Sequence, residues 1–438
     1  MWLVLASFVF YGSAMPQYTL LLLGSILFNY TLGRIIAASA NRRKVFLIIG
    51  IVVNIALLSS FKYLNFIFAN LAVFWKPIFA LPDWAFPLGI SFFTLQQVMY
   101  LVDCYEGLVE ANGLLTHAAF VSFFPSVISG PITRARQMVP QINQIVTTDA
   151  GKISQALILL AIGLFKKVVL ADSFSRVADA GFTSAAALST LEAWLSSFAY
   201  TFQIYFDFSG YTDIALGAAL LLGFVLPINF STPYRSLSIT EFWQRWHITL
   251  SQFITTYLYT PIVRSFKRIT LAKASLSTLI AMTIVGLWHG PAWTFVLFGA
   301  FHGAALVVNQ VWRKKIKKLV PRPLAWAATF LFVNTAFIFF RASNVHSALQ
   351  ICRALLPQHD MVGLSNFKQS IWGREELMLV ALPLLVGVPC ALWGADSVSL
   401  SRTVKPRFVT AWGVASLLLV TLLYMNSNLA KEFVYFKF

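Results

Sequence analysis

Charged residues are scarce in this sequence. They make up 11% of its 438 residues, whereas a soluble globular domain usually carries about a quarter. Hydrophobic residues make up 58%, and the mean hydropathy is +0.74. The charges that are present lie mostly in short connectors between long charge-free windows. This distribution excludes an ordinary soluble enzyme, a disordered protein and a small secreted scaffold, and it predicts a polytopic membrane protein.

Cysteine is also rare, and several catalytic motifs are missing. The three cysteines, Cys104, Cys352 and Cys390, form no CxxC pair, so we expect neither a disulfide framework nor a metal site. The sequence has no Walker A motif, no GxGxxG, no GxSxG and no HExxH. These absences argue against an ATP-driven motor, a familiar serine hydrolase and a zinc protease. We expect no bound cofactor.

Acidic residues number only 16 against 33 Lys and Arg, which gives a net charge of +17. A nucleic-acid-binding protein would cluster its cations on a folded polar face. Here they lie in short connectors, as the positive-inside rule expects of cytoplasmic loops, so we expect no nucleic-acid partner. The basic clusters are residues 34–44, 264–273, 313–322 and 402–407.

The charge-free windows predict an all-α protein with roughly ten to twelve membrane segments in one integral domain over residues 1–438. The windows long enough to span are 18–33, 45–61, 84–102, 111–133, 214–234, 246–263, 323–340, 377–395 and 408–430. Three shorter windows, 63–75, 153–165 and 193–206, predict interfacial or re-entrant segments.

The longest internal window, residues 274–312, predicts a helical hairpin, because Gly290-Pro291 interrupts it near the middle. The spacing of the basic clusters places the loop 341–374 and the C-terminus on the outer side of the membrane. Residues 1–15 lack a basic n-region, so we expect no cleaved signal peptide.

Ionisable groups inside apolar segments are costly and therefore point to function. His289, in Gly286-Leu287-Trp288-His289-Gly290-Pro291, lies at the predicted apex of the hairpin. Its imidazole can act as a general base near neutral pH. A buried histidine bonded to a carbonyl at a helix end is the structural alternative, and the residues alone leave the two equally weighted.

A second histidine, His247, ends the run Glu241-Phe242-Trp243-Gln244-Arg245-Trp246-His247. The two tryptophans suit an interfacial aromatic belt, and Glu241 suits the first turn of a helix. An anchored helix start explains these residues well. It does not explain a histidine directly before an apolar run.

Two further polar stretches interrupt the apolar windows. One contains Asp207, Ser209, Tyr211 and Asp213; an ion or proton relay, a catalytic carboxylate and a plain loop are all compatible with it. The other is Pro125 to Ile132, followed by Arg134, where a broken helix with a cation suits an anionic group. A kinked helix with interfacial Arg is at least as good an explanation.

Two remaining polar features favour structural roles. Lys166 and Lys167 fit side chains that snorkel to the interface. His302 fits a structural partner within the second half of the hairpin.

Taken in order, these blocks resemble the membrane-bound O-acyltransferase family, and more closely its bacterial branch of alginate O-acetyltransferase and teichoic acid D-alanyl transfer proteins. Any one motif is modest, but their order makes the match specific. The resemblance covers nearly the whole chain and is carried by residues 123–132, 207–213, 229–234, 238–251, 257–261, 286–290 and 433–438. Members usually have a further apolar segment upstream of the run that begins this chain.

The resemblance implies a catalytic role for His289 and a second functional role for His247. We also expect Trp288, Trp246, Asp207, Ser209, Tyr211 and Arg134 to contact substrate. The resemblance also implies that the acyl donor is a cytoplasmic thioester, such as acetyl-CoA, and that the acceptor is an exported polysaccharide such as alginate. A periplasmic acetyltransferase partner and a bacterial inner-membrane location follow from the same branch.

Two alternatives remain at this point. Peptidoglycan acylation or D-alanyl transfer would use the same machinery on another substrate. A secondary transporter of a lipid-linked sugar would also account for broken helices and intramembrane carboxylates. However, it gives no reason for the ordered histidine motifs, and no inverted repeat is visible in the sequence.

Overall fold

The computed structural model describes residues 1–39, 41–72, 85–110, 112–144, 148–357, 361–365, 367, 374–426 and 433. All regular structure in these ranges is helical, which confirms the predicted fold class. The described helices form two compact packing units. One contains residues 1–153 with 218–227, and the other contains residues 154–217 with 228–438. The single integral domain predicted over 1–438 stays a prediction.

The described residues of the first unit form seven complete α-helices. They are α1 (Trp2–Ala14), α2 (Thr19–Ala38), α3 (Arg43–Lys62), α4 (Leu64–Leu71), α5 (Ile90–Tyr105), α6 (Leu114–Ser122) and α7 (Ala135–Ile142).

The helices α2, α3 and α5 pack against one another in this first unit. Asn29 on α2 and Asn54 on α3 exchange two side-chain amide hydrogen bonds of 2.7 and 3.2 Å. Polar pairs of this kind hold helices together where lipid offers no hydrophobic driving force.

The second unit begins within the long segment that contains α8 (Ala150–Leu164), a π-helical stretch (Phe165–Ala171) and α9 (Asp172–Thr183). The helices that follow are α10 (Thr190–Leu221), α11 (Ile239–Arg245), α12 (Ile248–Phe253), α13 (Thr260–Arg264), α14 (Leu271–His289), α15 (Trp293–Val311), α16 (Arg322–Arg341), α17 (Val345–Ala354), α18 (Arg374–Trp393), α19 (Ser397–Thr403) and α20 (Phe408–Asn426).

Among the described residues, seven helical segments are long and apolar enough to cross a membrane. They are Pro16–Ala38, Arg43–Lys62, Ala150–Thr183, Leu271–His289, Trp293–Ile316, Arg322–Arg341 and Phe408–Asn426. An eighth span is possible if Pro383–Trp393 and Ser397–Thr403, which meet at 82°, are taken together. The protein is therefore a multi-pass membrane protein.

Several predicted windows fold differently in detail. Window 111–133 contains only the short helix α6, because Pro125, Gly130 and Pro131 follow it and the chain continues as turns. Window 246–263 divides into α12, a π-helical stretch (Ile254–Tyr259) and α13. Residues 73–75 of the window 63–75 lie outside the described ranges.

At two places, charged residues that end a predicted window lie inside a continuous helix. Window 153–165 belongs to a 34-residue helical segment, Ala150–Thr183, that continues through Lys166 and Lys167. The stretch Asp207 to Asp213 lies inside the 32-residue helix α10, so the plain-loop interpretation is wrong. Both helices continue because their charged side chains are paired with one another.

The predicted hairpin is confirmed. Its arms are α14 and α15, and the chain reverses at Gly290 to Ala292. The two arms approach so closely that a Cβ on Gly286 would lie 2.7 Å from the Cα of Gly299, so glycine is needed at this crossing. The outward position of 341–374 stays a prediction, and residues 358–360, 366 and 368–373 of that loop lie outside the described ranges.

Candidate active site

His289 is the last residue of α14 and lies in a box of aromatic side chains. Its ring centroid is 4.9 Å from that of Trp288, 5.1 Å from that of Phe340 and 6.1 Å from that of Phe298. Only 4% of the residue is exposed. We call His289 with Trp288, Phe298 and Phe340 the His289 box.

The sequence around the hairpin apex builds this box. Gly290 has no Cβ, and a Cβ there would lie 2.3 Å from the ring of Phe295, so glycine lets Phe295 pack beside the apex. Phe295 in turn contacts Phe340, with their centroids 5.0 Å apart. The imidazole also lies at a helix C-terminus, where the helix dipole favours a positive charge.

His247 lies at a strained turn between α11 and α12. Its φ is +43°, in the left-handed region that residues other than glycine rarely adopt. The imidazole is completely buried and contacts the ring of Phe208 on α10, with centroids 4.7 Å apart. Backbone strain of this kind costs on the order of 1–3 kcal/mol and tends to cluster at functional sites.

Asn229 holds this turn. Its Oδ1 accepts hydrogen bonds from the backbone N–H of Thr249 at 3.2 Å and from the Thr249 hydroxyl at 2.7 Å. The Nδ1 of His247 lies 3.3 Å from the same oxygen. Because Oδ1 is an acceptor, this contact places the imidazole proton on Nδ1 and the lone pair on Nε2. Burial lowers the pKa of His247 to about 3, so the ring is neutral at physiological pH.

A chain of aromatic rings connects the two histidines. From His289 it runs through Phe298, Phe337 and Trp246, with centroid distances of 6.1, 6.0 and 5.3 Å. From Trp246 it continues through Phe230 and Phe208 to His247, with distances of 5.0, 5.1 and 4.7 Å. Both histidines and both predicted tryptophans, Trp246 and Trp288, lie in the second packing unit.

Asp207 belongs to a buried ion-pair cluster rather than to the surroundings of His289. Its Oδ1 lies 3.0 Å from the Nζ of Lys167, which also contacts Asp172 at 2.7 Å. Lys166 pairs with Asp213 at 2.8 Å. The prediction that these two lysines snorkel to the interface is therefore wrong, because buried carboxylates satisfy them within the helices.

The helix α10 brings this cluster next to His247, since Asp207 and Phe208 are adjacent on it. Ser209 is buried, and its Oγ has no hydrogen-bond partner among the described residues. Tyr211 contacts Phe433, with centroids 4.8 Å apart. The rest of the terminal aromatic motif, residues 434–438, lies outside the described ranges.

Arg134 lies in the first packing unit, whereas the other predicted site residues lie in the second. It is half-buried at the start of α7, and its backbone N–H donates to Gln137 at 3.4 Å.

A cavity of about 630 Å³ opens beside α11, at the foot of the hairpin. We call it the foot cavity. Its walls come from α11, from α12 and the π-helical stretch after it, and from the two hairpin arms. The lining residues are Thr240, Trp243, Gln244, Ser251, Ile254, Thr255, Tyr259, Thr278, Ala281, Met282, Leu306, Asn309, Gln310, Arg313 and Lys314.

Sequence reasoning missed two side-chain contacts in this region. Asn229 contacts a turn that lies 20 residues further along the chain. Trp243 donates a hydrogen bond of 3.2 Å to His302, 59 residues away. Separations of this size produce no periodic pattern. Asn229 and Trp243 do lie within stretches that carried the family resemblance, and this was the available signal.

No group of three or more potential metal ligands occurs among the described residues. The side chains of the region are histidines, aromatic rings, hydroxyls, amides and a few cations. This set suits proton transfer and the binding of an uncharged reacting centre.

Residues 52–349 match the family described as MBOAT, membrane-bound O-acyltransferase family. The chain is 40% identical to the peptidoglycan O-acetyltransferase of Helicobacter pylori over 400 residues, which cover 84% of this chain and 74% of the relative. It is 37% identical to the probable alginate O-acetylase AlgI of Azotobacter vinelandii over 403 residues, which cover 90% of this chain and 79% of the relative.

The similarity to the teichoic acid D-alanyltransferase of Streptococcus thermophilus is lower. The identity is 30% over 243 residues, which cover 53% of this chain and 59% of that protein.

Proposed function

Because the chain belongs to the membrane-bound O-acyltransferase family and is a membrane O-acyltransferase, we propose that it carries an acetyl group from a cytoplasmic thioester toward an exported polysaccharide. The donor is acetyl-CoA or a chemically similar acyl thioester. The membrane is the bacterial inner membrane, and a periplasmic acetyltransferase receives the acetyl group or completes its transfer. The two relatives with the highest identity described above act, by their names, as O-acetylating proteins of peptidoglycan and alginate.

The observation that carries this proposal is the foot cavity. Arg313 and Lys314 line it from the short π-helical stretch Trp312–Ile316 that follows α15. Between Glu241 and Asp360 the sequence has no Asp or Glu, so no acidic side chain of this stretch opposes those cations. A positively charged entrance with amide and hydroxyl groups further in suits a ligand that carries phosphates at one end and a neutral thioester at the other.

The predicted orientation agrees with a cytoplasmic donor. Both connectors at the hairpin foot, 264–273 and 313–322, are basic, and basic connectors face the cytoplasm. The foot cavity then opens on the side where acyl thioesters are made.

We assign the chemistry to His289. Its imidazole accepts the proton of an acceptor hydroxyl as the hydroxyl oxygen attacks the thioester carbonyl. The tetrahedral intermediate collapses with cleavage of the carbon–sulfur bond, and the thiolate recovers the proton from the imidazolium. The products are an ester and a free thiol. The His289 box excludes water, so the acyl group is kept from hydrolysis.

His247 is a second contributor in this scheme. Its neutral ring and its lone pair on Nε2 suit a hydrogen-bond acceptor that orients a reactant, with Asn229 fixing the tautomer. Contacts of Trp288, Trp246, Asp207, Ser209, Tyr211 and Arg134 with substrate remain predictions.

The direct test uses inverted membrane vesicles that contain the protein and enclose a soluble polysaccharide. Radiolabelled acetyl-CoA is added outside, and base-labile label on the enclosed polymer or on a co-expressed periplasmic acetyltransferase is measured. Label that appears only with the protein supports the proposal. Label that appears only when a D-alanyl thioester replaces acetyl-CoA would assign the protein to D-alanyl transfer. Flux of a lipid-linked sugar across the vesicle membrane without any acyl donor would favour the transporter.

Substitutions at the cavity entrance test where the donor binds. We expect Arg313→Gln with Lys314→Gln to raise the KM for acetyl-CoA about tenfold with little change in kcat, because charge-assisted contacts to phosphate are lost. The matched control is Lys317→Gln with Lys318→Gln, which removes the same charge from residues that do not line the cavity. Equal effects of the two double variants would contradict a donor site in this cavity.

A further inference from the structure

The inner wall of the foot cavity contains one large rigid side chain, Trp243. The residue is 6% exposed and lies on α11. Its indole Nε1–H donates to the Nδ1 of His302 on α15 at 3.2 Å, and His302 is completely buried. Phe242 stacks parallel to the imidazole at 6.2 Å. The indole is therefore fixed by a hydrogen bond to a side chain that is itself packed in place.

Behind this wall lie the rings that lead to His289. The centroid of Phe298 is 4.6 Å from that of His302 and 6.1 Å from that of His289. Trp243 lines the cavity, whereas His302, Phe298 and His289 do not. Trp243, His302 and Phe298, the last of which also belongs to the His289 box, therefore lie between the cavity and the His289 imidazole, and we call these three residues the aromatic partition.

We propose that Trp243 is a specificity-determining residue that limits the acyl group to a small one, with His302 as its positioning residue. This inference rests on the proposed acyl transfer. An acyl thioester in the cavity must bring its carbonyl to the His289 box past the edge of the aromatic partition. An acetyl group presents a single methyl there, whereas each further methylene must displace a buried ring from its packing.

Other apolar residues of the cavity are less suited to this role. Met282 is unbranched and flexible, so it adapts to a longer chain instead of excluding it. Ala281 is too small to form a barrier. Trp243 alone among the lining residues combines a large ring, near-complete burial and a hydrogen bond to a buried partner.

The hydrogen bond matters because it fixes which way the ring faces. The pyrrole nitrogen of indole donates only, so the Nδ1 of His302 must accept and its proton lies on Nε2. If residue 302 had no lone pair to accept this hydrogen bond, packing alone would hold the indole. The ring could then turn aside and admit a larger acyl group, although its volume would be unchanged.

The test compares donors of different length in the vesicle assay described above. Acetyl-CoA, butyryl-CoA and hexanoyl-CoA are supplied to the native protein and to Trp243→Ala, and the ratio of butyryl to acetyl transfer is measured. We expect the native ratio to be low and Trp243→Ala to raise it about tenfold or more, in the range that one or two methylenes produce in a restrictive pocket. Trp412→Ala is the matched control, because Trp412 lies on α20, is 61% exposed and does not line the cavity.

Two milder variants keep the inference testable if Trp243→Ala does not fold. Trp243→Phe retains a ring but loses the donor, and His302→Leu retains the indole but loses the acceptor. We expect both to raise the ratio by a smaller factor, about threefold, since part of the barrier remains. A purely structural role for His302 would lower transfer of all three acyl groups equally and leave the ratio unchanged.

The outcomes separate this inference from the proposed function. If the native protein transfers no acyl group from any thioester, the proposed function fails. If it transfers acetyl and every folded Trp243 or His302 variant keeps the native butyryl-to-acetyl ratio, only the inference about the aromatic partition fails.

Discussion

At two helix crossings in the second packing unit, a glycine on each helix lets the two backbones come into contact. At one, Gly286 of α14 meets Gly299 of α15, and a Cβ on Gly286 would lie 2.3 Å from the carbonyl oxygen of Phe295. At the other, Gly163 of α8 meets Gly210 of α10, and a Cβ on either residue would lie 2.7 to 2.8 Å from the carbonyl oxygen of its partner. Glycine lets two backbones touch where larger residues would hold them apart.

The side chains around the two crossings differ completely. Aromatic rings surround the first and enclose His289 one turn away. Buried charges surround the second, with Lys166 on Asp213 and Lys167 on Asp172 and Asp207. Charges that neutralise each other hold helices together, whereas aromatic rings around an imidazole keep water away from it. We therefore expect the first crossing to control activity and the second to control stability.

The largest effect should come from the imidazole at the first crossing. We expect His289→Gln to lower acyl transfer about a thousandfold while the unfolding midpoint stays close to native, because general-base catalysis contributes on the order of 10²- to 10⁴-fold. Transfer is measured in vesicles and unfolding in detergent. His346→Gln is the matched control, since His346 is exposed on α17. Near-native transfer by folded His289→Gln would contradict the assigned role.

The second crossing should respond most to loss of a cation. We expect Lys167→Met to lower the free energy of unfolding by about 3–5 kcal/mol, because it leaves Asp172 and Asp207 buried without their ammonium partner. Denaturant unfolding of the detergent-solubilised protein measures this loss. Transfer per folded molecule should fall far less than in His289→Gln.

A second substitution distinguishes loss of the lysine's charge from loss of its packing. Adding Asp207→Asn to Lys167→Met removes one of the two buried charges that Lys167 neutralises and should recover part of the lost stability. No recovery would show that the lysine acts by packing and not by charge.

Smaller effects should follow from filling the crossings themselves. We expect Gly210→Ala and Gly286→Ala each to cost about 1–3 kcal/mol of unfolding free energy, because the added methyl meets backbone atoms that must move. Only Gly286→Ala should also lower transfer, since the shift displaces His289. Gly413→Ala on α20 is the control, as its Cβ would meet open space. Equal losses of transfer in the two crossing variants would remove the distinction between the crossings.

A further effect concerns the pH dependence of stability. Because burial lowers the pKa of His247 to about 3, the unfolded chain binds a proton that the folded protein does not between that pH and the ordinary histidine value near 6.5. Stability therefore rises with pH across this window and is lost as the pH falls through it. His247→Gln should reduce the slope of unfolding free energy against pH by roughly 1.4 kcal/mol per pH unit. An unchanged slope between pH 4 and 6 would contradict a neutral, buried His247.

The sequence predicted the hairpin and the histidine at its apex for clear physical reasons. A charge-free window of 39 residues is too long for one span, and Gly290-Pro291 marks where it must reverse. The order of the motifs identified the family, which residues 52–349 confirm.

What the sequence did not predict depends on pairing across the fold. In the sequence the two lysines end an apolar window, because a single sequence does not show that Asp207 and Asp213 lie on the helix packed against them. The strained backbone of His247 and the bond from Trp243 to His302 likewise arise from tertiary packing. The site residues themselves remain predictions that the experiments above address.

The basic foot of the hairpin has a consequence for how the protein is held in an energised membrane. An interior-negative potential stabilises each positive charge on the cytoplasmic side by about 2.3 kcal/mol per 100 mV relative to the outer side. On the predicted orientation, the cations of connectors 264–273 and 313–322 all lie at that side. The membrane potential thus contributes to keeping the cavity entrance facing the cytoplasm, in addition to the hydrophobic fit of the helices. A collapsed potential during biosynthesis should increase the fraction of molecules whose hairpin inserts in the opposite direction.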